Sequence, residues 1–168
     1  SIRPFFEILL ANGQLPKEIE KSTGIVQAKL DDPGYRVPIK QLIDLVDKCF
    51  DVTGDPALGL HFRDYFDSTN IYYTTVLYMN CNTLLEACQT WSRYSKLLSD
   101  ASEVEIGEEG ENYTISYSNT SDYQADWIPE FYLANAVFFN RMTTDTNIDP
   151  VAVHFQHPAP HYAIEYQK

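Results

Sequence analysis

Apolar residues at helical spacing dominate the first half of the chain. A run ending near Val52 has this spacing, with apolar residues at Ile39, Leu42, Ile43, Val46, Cys49 and Phe50. Gly54 follows at the position where a helix favours a residue in the left-handed conformation, so the first helix ends there. Asp55 can then cap a second helix over about residues 57–66, with Pro56 at its first position. The sequence therefore predicts two helices that fold back on one another.

Glycines also mark close contacts and helix ends in this half. Gly59 lies early in the second of the two helices, where glycine costs about 1 kcal/mol relative to alanine. We therefore expect another backbone to approach closely at this position. Two shorter helices are predicted over residues 2–12 and 16–22, ended by Gly13 and Gly24.

A capping-box sequence predicts the next long helix. Thr83 and Glu86 have the spacing at which each side chain satisfies a free N–H of the first turn. The apolar stripe that follows runs to Leu98 and predicts a helix of about four turns. Residues 71–79, just before it, are ambiguous, because their Tyr, Thr, Val and Ile content is typical of a strand, while packing against other helices would also allow a helix. We favour a helix there on the resemblance described below.

The period of the pattern changes to two after residue 101. Apolar and polar residues alternate around Val104 and Ile106 and again from Tyr113 to Tyr117, with a glycine-containing turn between the two runs, which predicts an antiparallel hairpin. The alternation over residues 151–155 predicts a third strand. Between them, residues 129–144 form a helix that is apolar around much of its girth, so it is buried on two sides or lies at a subunit interface. The fold class is α+β, a small antiparallel sheet covered by several helices.

Composition narrows the class of protein. The formal charge of −12, from 24 acidic and 12 basic residues, opposes attraction to phosphate, so direct nucleic-acid binding by this segment is not expected. No apolar run approaches the roughly 18 residues of a membrane span, and no signal peptide is seen. The three cysteines, Cys49, Cys81 and Cys88, have no metal or redox spacing. Buried reduced thiols in a soluble cytoplasmic protein explain them best.

Four segments together resemble the N-terminal domain of one branch of the AraC/XylS-type bacterial transcription regulators, the branch with the arabinose-binding type of domain. Thr53-Gly-Asp-Pro-Ala-Leu-Gly-Leu60 is similar to a motif early in that domain, and Val37-Pro-Ile-Lys-Gln-Leu42 to the helix that leads into it. Asn82-Thr-Leu-Leu-Glu-Ala87, followed by Arg93-Tyr94, resembles its capped helix. The segment 151–160 resembles its strand and the His-x-x-Pro turn that follows.

The resemblance implies what the protein does. Residues 1–168 would form a ligand-sensing and dimerisation domain. This domain would bind a small-molecule effector and form a homodimer, and no cofactor is expected. In such regulators a helix-turn-helix DNA-binding domain follows, so we expect this chain to be the truncated N-terminal part, with DNA as a partner only through the missing domain. An interaction-only domain, with the same fold and no small-molecule ligand, is the alternative.

No motif points to catalysis or to a metal site. The chain has no nucleophile elbow, no phosphate-binding glycine loop and no His–Glu pair on a helix, so we do not expect an enzyme. His154, His157 and His161 invite a metal hypothesis. However, an odd offset along a strand places the first two on opposite faces, and Pro158 and Pro160 prevent a shared helix for the last two. We therefore predict no metal site.

Aromatic residues supply the candidate ligand site. We predict that the effector binds between the capped helix and the sheet, since small-molecule pockets are mostly apolar with a few orienting polar groups. The candidates are Tyr72, Tyr73, Trp91, Tyr94, Tyr117, Trp127, Phe131 and Phe138, with Arg93 or His154 as the polar group. For any single aromatic residue in this set, membership of an ordinary hydrophobic core is the more frequent explanation.

Overall fold

Seven α-helices and one β-hairpin make up the part of the chain that the computed structural model describes, residues 2–32, 34–65 and 73–167. Only the backbone is described for residues 73–75. The elements are α1 (Arg3–Ala11), α2 (Pro16–Thr23), α3 (Ile39–Thr53), α4 (Leu58–His61), α5 (Tyr73–Met79), α6 (Leu84–Leu98), β1 (Ser102–Glu109), β2 (Asn112–Asn119) and α7 (Trp127–Thr144). Short 3-10 turns cover Gln27–Lys29, Phe62–Tyr65 and Ala163–Gln167. The predicted α+β class is confirmed.

The N-terminal helices enclose the main hydrophobic core. Helix α3 begins directly after Pro38 and ends at Gly54, whose φ of 64° lies in the left-handed region, as the sequence predicts. Gly24 ends α2 in the same way, with φ of 73°. The core joins side chains from α1 to α4, and its members are Phe5, Phe6, Ile8, Leu9, Ile19, Ile25, Leu45, Val46, Cys49, Leu58 and Phe62.

Helix α4 is shorter than predicted and packs against a different partner. The Asp55 carboxylate accepts a hydrogen bond from the Ala57 N–H at 2.9 Å, so a capped turn precedes the helix, which begins at Leu58 and gives way to a 3-10 turn at Phe62. The helix packs chiefly against α7. The prediction that it folds back along α3 is wrong, because Gly59 lets its single α-helical turn pack closely on α7 instead.

The predicted close backbone approach at Gly59 is confirmed, and the backbone involved is that of α7. A Cβ atom on Gly59 would lie 2.9 Å from the Trp127 carbonyl oxygen and 3.1 Å from the Trp127 Cα. It would also lie 3.0 Å from Glu130 Oε2. Any side chain at position 59 would therefore separate α4 from α7.

Helix α6 and the hairpin follow the predicted pattern. The Thr83 hydroxyl accepts the Glu86 N–H at 3.1 Å, and the Glu86 carboxylate reaches back to the Asn82 N–H at 2.9 Å. The two strands pair antiparallel, with Val104 opposite Tyr117. Helix α6 packs on β1, where the Ser92 hydroxyl donates to the Val104 carbonyl at 2.6 Å.

Residues 73–79 are helical, as favoured above, while residues 71 and 72 lie outside the described residues. The third strand predicted over residues 151–155 is wrong. In the described chain the sheet has two strands, and this segment is irregular. Val151 is 86% exposed and Val153 is 46% exposed, so the alternation of apolar and polar residues does not separate a buried face from a solvent-exposed face. Without a neighbouring strand edge to pair with, an alternating pattern does not make a strand.

Helix α7 joins the two halves of the fold. It packs against α4 on one side and against β2 and α6 on another. Neighbours on two sides explain why its apolar residues are not confined to one stripe. Most of its side chains are half-buried, so the alternative of a subunit interface along this helix stays a prediction. None of the described helices is both long enough and apolar enough to cross a membrane.

Substitution of Gly59 tests the contact between α4 and α7. We expect Gly59→Ala to lower the free energy of unfolding by about 1–3 kcal/mol, because the new methyl group would overlap backbone atoms that cannot move aside. Helix propensity alone would favour alanine by about 1 kcal/mol, so the two effects have opposite sign. Urea unfolding followed by circular dichroism measures the difference.

Gly34→Ala is the matched control. Its Cβ would lie 3.3 Å from the exposed Asp32 carboxylate, which accepts the Gly34 N–H at 2.8 Å and can shift toward solvent, so a change within about 0.5 kcal/mol is expected. Equal effects of the two substitutions would contradict the inferred contact.

Candidate functional site

Two of the predicted aromatic residues belong to the main core. Phe131 lies 5.3 Å from Phe62 and 5.8 Å from Phe5, measured between ring centroids. Trp127 lies 6.3 Å from Phe62 and contacts the same cluster. These rings fill the space between α1, α4 and α7.

A second aromatic contact joins the sheet to α7. Tyr117 of β2 stacks on Tyr132, with ring centroids 4.1 Å apart and ring planes 18° apart. Phe131 meets the other side of Tyr132 edge-on at 5.4 Å. Burial, and then the nearby Tyr132, raise the pKa of the Tyr117 hydroxyl, so it stays protonated and available to donate a hydrogen bond. Tyr132 was not predicted, although it is adjacent in sequence to a residue that was.

Phe138 lies about two turns beyond Phe131 along α7, and a cation lies over its ring. The Arg63 guanidinium carbon sits 3.2 Å from the centroid of the Phe138 ring and 5.5 Å from that of Phe139. Such cation–π contacts contribute about 0.5–2 kcal/mol, depending on how far the cation is desolvated. The sequence analysis missed Arg63, because its contact with α7 joins residues far apart in the chain.

The remaining predicted residues are not gathered with these. Trp91 is half-buried on α6, whereas Arg93 and Tyr94 are exposed on the same helix. His154 is exposed on the segment that follows α7. Tyr72 lies outside the described residues, and only the backbone of Tyr73 is described.

A buried carboxylate forms the densest polar cluster. Glu130, in the first turn of α7, has no exposed surface. The Tyr162 hydroxyl donates to its two oxygens at 3.1 and 3.2 Å, and the Tyr166 hydroxyl donates to Oε1 at 2.5 Å. His157 Nε2 lies 3.9 Å from Oε1. Burial, followed by the Glu130 carboxylate, raises the pKa of both tyrosine hydroxyls, which therefore remain donors at neutral pH.

A histidine links this cluster to α4. His61 Nδ1 lies 2.7 Å from Asp55 Oδ2, and Nε2 lies 3.2 Å from Glu165 Oε2. Burial disfavours the charged imidazole, but the hydrogen bonds and charges of Asp55 and Glu165 outweigh burial and raise the pKa of His61.

One sequence signal could have indicated the cluster. Glu130 is the only charged residue between Trp127 and Asn140, in a helix that is apolar around much of its girth. A single acid in such a helix is either exposed or supplied with partners. Its tyrosine partners, more than 30 positions away, could not have been inferred from spacing.

Two grooves on the described surface lie away from the contact between α6 and the hairpin. The smaller, of about 170 Å³, is formed by the hairpin turn. The larger, of about 550 Å³, has a volume typical of small-molecule sites. It lies beside the C-terminal half of α7 and is lined by Arg141, Asn147, Asp149, Pro150, Val153, Phe155, Tyr166 and Gln167. Within the described ranges, His, Cys, Asp and Glu side chains do not gather in groups of three or more that would hold a metal ion.

Comparison with protein families decides the class of the domain. The family described as the arabinose-binding domain of AraC transcription regulators, N-terminal, matches residues 13–168. The chain belongs to this family. The resemblance seen in four short motifs is thus confirmed over nearly the whole sequence, including segments that carried no motif.

Membership of the arabinose-binding family assigns the chain to transcription regulation and to a class of regulatory, ligand-binding domains that is not a known enzyme family. Neither a curated protein nor a solved structure gives a significant match to the chain.

Removal of a tyrosine hydroxyl tests the Glu130 cluster of this regulatory domain. We expect Tyr166→Phe to lower the free energy of unfolding by about 1–3 kcal/mol, because it leaves a buried carboxylate oxygen with one donor fewer. Tyr162→Phe should have a similar effect, and the double variant should lose more than the sum, since no tyrosine donor then remains. Urea unfolding at neutral pH is the measurement.

Tyr113→Phe, at an exposed position near the hairpin turn, is the control, with an expected change below about 0.5 kcal/mol. If Tyr113→Phe lowers the free energy of unfolding as much as Tyr166→Phe does, the role assigned to the tyrosine hydroxyls is wrong.

Proposed function

We propose that this domain binds a small metabolite, forms a homodimer, and in doing so controls a helix-turn-helix DNA-binding domain of the same regulator in the bacterial cytoplasm. The observation that carries the proposal is the family match over residues 13–168. The charge of −12 supports it further, because an acidic domain depends on a separate basic domain to hold DNA.

We place the effector against an aromatic layer that runs along α7 and reaches the sheet. Tyr117 of the sheet and Phe131 and Phe138 of α7 are its central members, and Trp91 on the adjacent helix extends the set. Helix α7 supports this placement, since it contacts the sheet on one side and α4 on another, so a ligand that shifts it affects both halves. The exposed Arg93, Tyr94 and His154 are proposed for outer contacts with the effector.

The groove beside the C-terminal half of α7 is the competing location. It has the volume for a metabolite, and it combines the Arg141–Asp149 ion pair with the rings of Phe155 and Tyr166. A molecule bearing both a carboxylate and an ammonium group fits that pair of charges, whereas the aromatic layer suits a flat or apolar molecule.

A ligand screen with one variant at each location distinguishes them. Amino acids, polyamines and fatty acids are added to the protein, and the unfolding temperature is followed. A true effector at about 100 times its Kd should raise the Tm by about 5–10 °C. Tyr117→Leu should abolish the shift if the aromatic layer binds the ligand, and Arg141→Gln should abolish it if the groove does.

Each variant serves as the control for the other, because the two positions lie on different elements. A shift that survives both substitutions would contradict both locations but leave effector binding intact. If no compound stabilises the protein, the interaction-only alternative is favoured.

The exposed end of α6 is suited to pairing with a second copy. Tyr94, Leu97 and Leu98 lie at spacings of three and four on this helix and are 37%, 60% and 42% exposed. Apolar side chains clustered at the surface in this way mark protein contacts more often than isolated ones do. Dimerisation through this face would agree with either functional alternative.

Introducing a charge on this face tests the proposed dimer. We expect Leu97→Asp to weaken self-association by at least about ten-fold in analytical ultracentrifugation, since a desolvated carboxylate would face an apolar partner surface. Gln89→Asp, at another exposed position on α6, should leave association unchanged. A dimer that tolerates Leu97→Asp uses a different surface.

A further inference from the structure

The last described segment, residues 155–167, is attached to the body of the domain by charged and polar side chains. We call it the terminal segment. Its Tyr162 and Tyr166 donate to the buried Glu130 of α7, and its Glu165 contacts His61 of α4. Phe155 stacks on Tyr166 at 5.0 Å, which orders the segment internally. The attachment thus depends largely on hydrogen bonds and charges.

His61 makes both of its contacts only when it is protonated. Nδ1 faces the Asp55 carboxylate at 2.7 Å and Nε2 faces the Glu165 carboxylate at 3.2 Å. Ionised carboxylates only accept hydrogen bonds, so each ring nitrogen must carry a hydrogen to complete its bond. A neutral imidazole has one N–H and would lose one of the two contacts.

His157 of the terminal segment lies beside Glu130. Its Nδ1 lies 3.0 Å from the Pro158 carbonyl oxygen, and its side chain is 8% exposed. Nε2 is buried without a hydrogen-bond partner and lies 3.9 Å from Glu130 Oε1. His157 thus packs against the Glu130 cluster, whereas His61 makes the two carboxylate contacts.

We propose that the terminal segment is a proton-dependent clasp, which holds to α4 when His61 is charged and loosens when His61 loses its proton. The tyrosine contacts with Glu130 remain in both states. Deprotonation therefore weakens the attachment without abolishing it.

The surrounding charges set the direction of the pH dependence. His61 faces Asp55 and Glu165, and Glu130 and Asp126 of α7 add negative charge near Tyr162. His161 stands edge-on to the Tyr162 ring and is exposed. Since the folded protein raises the pKa of His61, its contribution is fully present below about pH 6.5, the value of an unperturbed histidine, and is lost as the pH rises through the higher folded value.

Amide hydrogen exchange read by mass spectrometry tests the clasp in the intact chain. Protection factors, which correct for the intrinsic pH dependence of exchange, are compared between about pH 5.5 and about pH 8. We expect the protection of residues 155–167 to fall about three- to ten-fold over this range, while that of α3 stays constant.

Substitution of His61 assigns the effect. His61→Gln should remove the pH dependence of the protection of residues 155–167. His154→Gln is the matched control, because His154 is exposed just ahead of the terminal segment, and it should behave like the native chain. Unchanged protection of α3 shows that each variant is folded.

Three results would overturn the proposal. They are constant protection of residues 155–167 across the pH range, full pH dependence in His61→Gln, or an equal loss of pH dependence in His154→Gln. None of these readouts requires an effector, so the clasp and the proposed ligand-sensing function stand or fall separately.

Discussion

The contact between Gly59 and the first turn of α7 organises the domain. Because position 59 has no side chain, the α4 backbone comes within van der Waals contact of Trp127, and this brings the core side chains of α4 into contact with those of α7. The 3-10 turn that follows α4 then carries Phe62 into the aromatic cluster with Phe5 and Phe131. One missing methyl group thus allows the N-terminal helices and α7 to share a single core.

The same contact buries a carboxylate, which the fold then has to stabilise. Glu130 lies at the N-terminal end of α7, where the helix dipole favours negative charge, but such an effect contributes only about 0.3–2 kcal/mol. The two tyrosine hydroxyls supply the rest of the stabilisation, and they reach Glu130 only because the chain returns to α7 after residue 150. The terminal segment therefore stabilises a carboxylate that is buried near the centre of the domain. Its irregular backbone is consistent with this, since its attachment depends on side chains.

Features determined by neighbouring residues could be predicted from the sequence, and features determined by distant ones could not. Three features that depend on residues a few positions apart were predicted. They are the end of α3 at Gly54, the capping box of Thr83 and Glu86, and the hairpin. The partner of α4 was not, because spacing within a helix does not identify the helix it meets. The prediction of a strand over residues 151–155 was wrong for a similar reason, because an alternating segment forms a strand only where a distant part of the chain offers a strand edge to pair with. At the candidate site the aromatic members of α7 could be predicted from their type, whereas His61 and Glu165 are 104 residues apart and Glu130 and Tyr166 are 36 apart.

The shared position of α7 has a consequence for how related domains diverge. Tyr132 meets the sheet, and Glu130, two residues earlier, meets the terminal segment, so a substitution that tilts the helix also displaces the buried carboxylate. Compensating substitutions are then required at positions 59, 162 or 166. For an effector bound at the proposed aromatic site, changes in recognition would be accompanied by covariation across the helix, and a graft of the aromatic side chains alone would not transfer specificity.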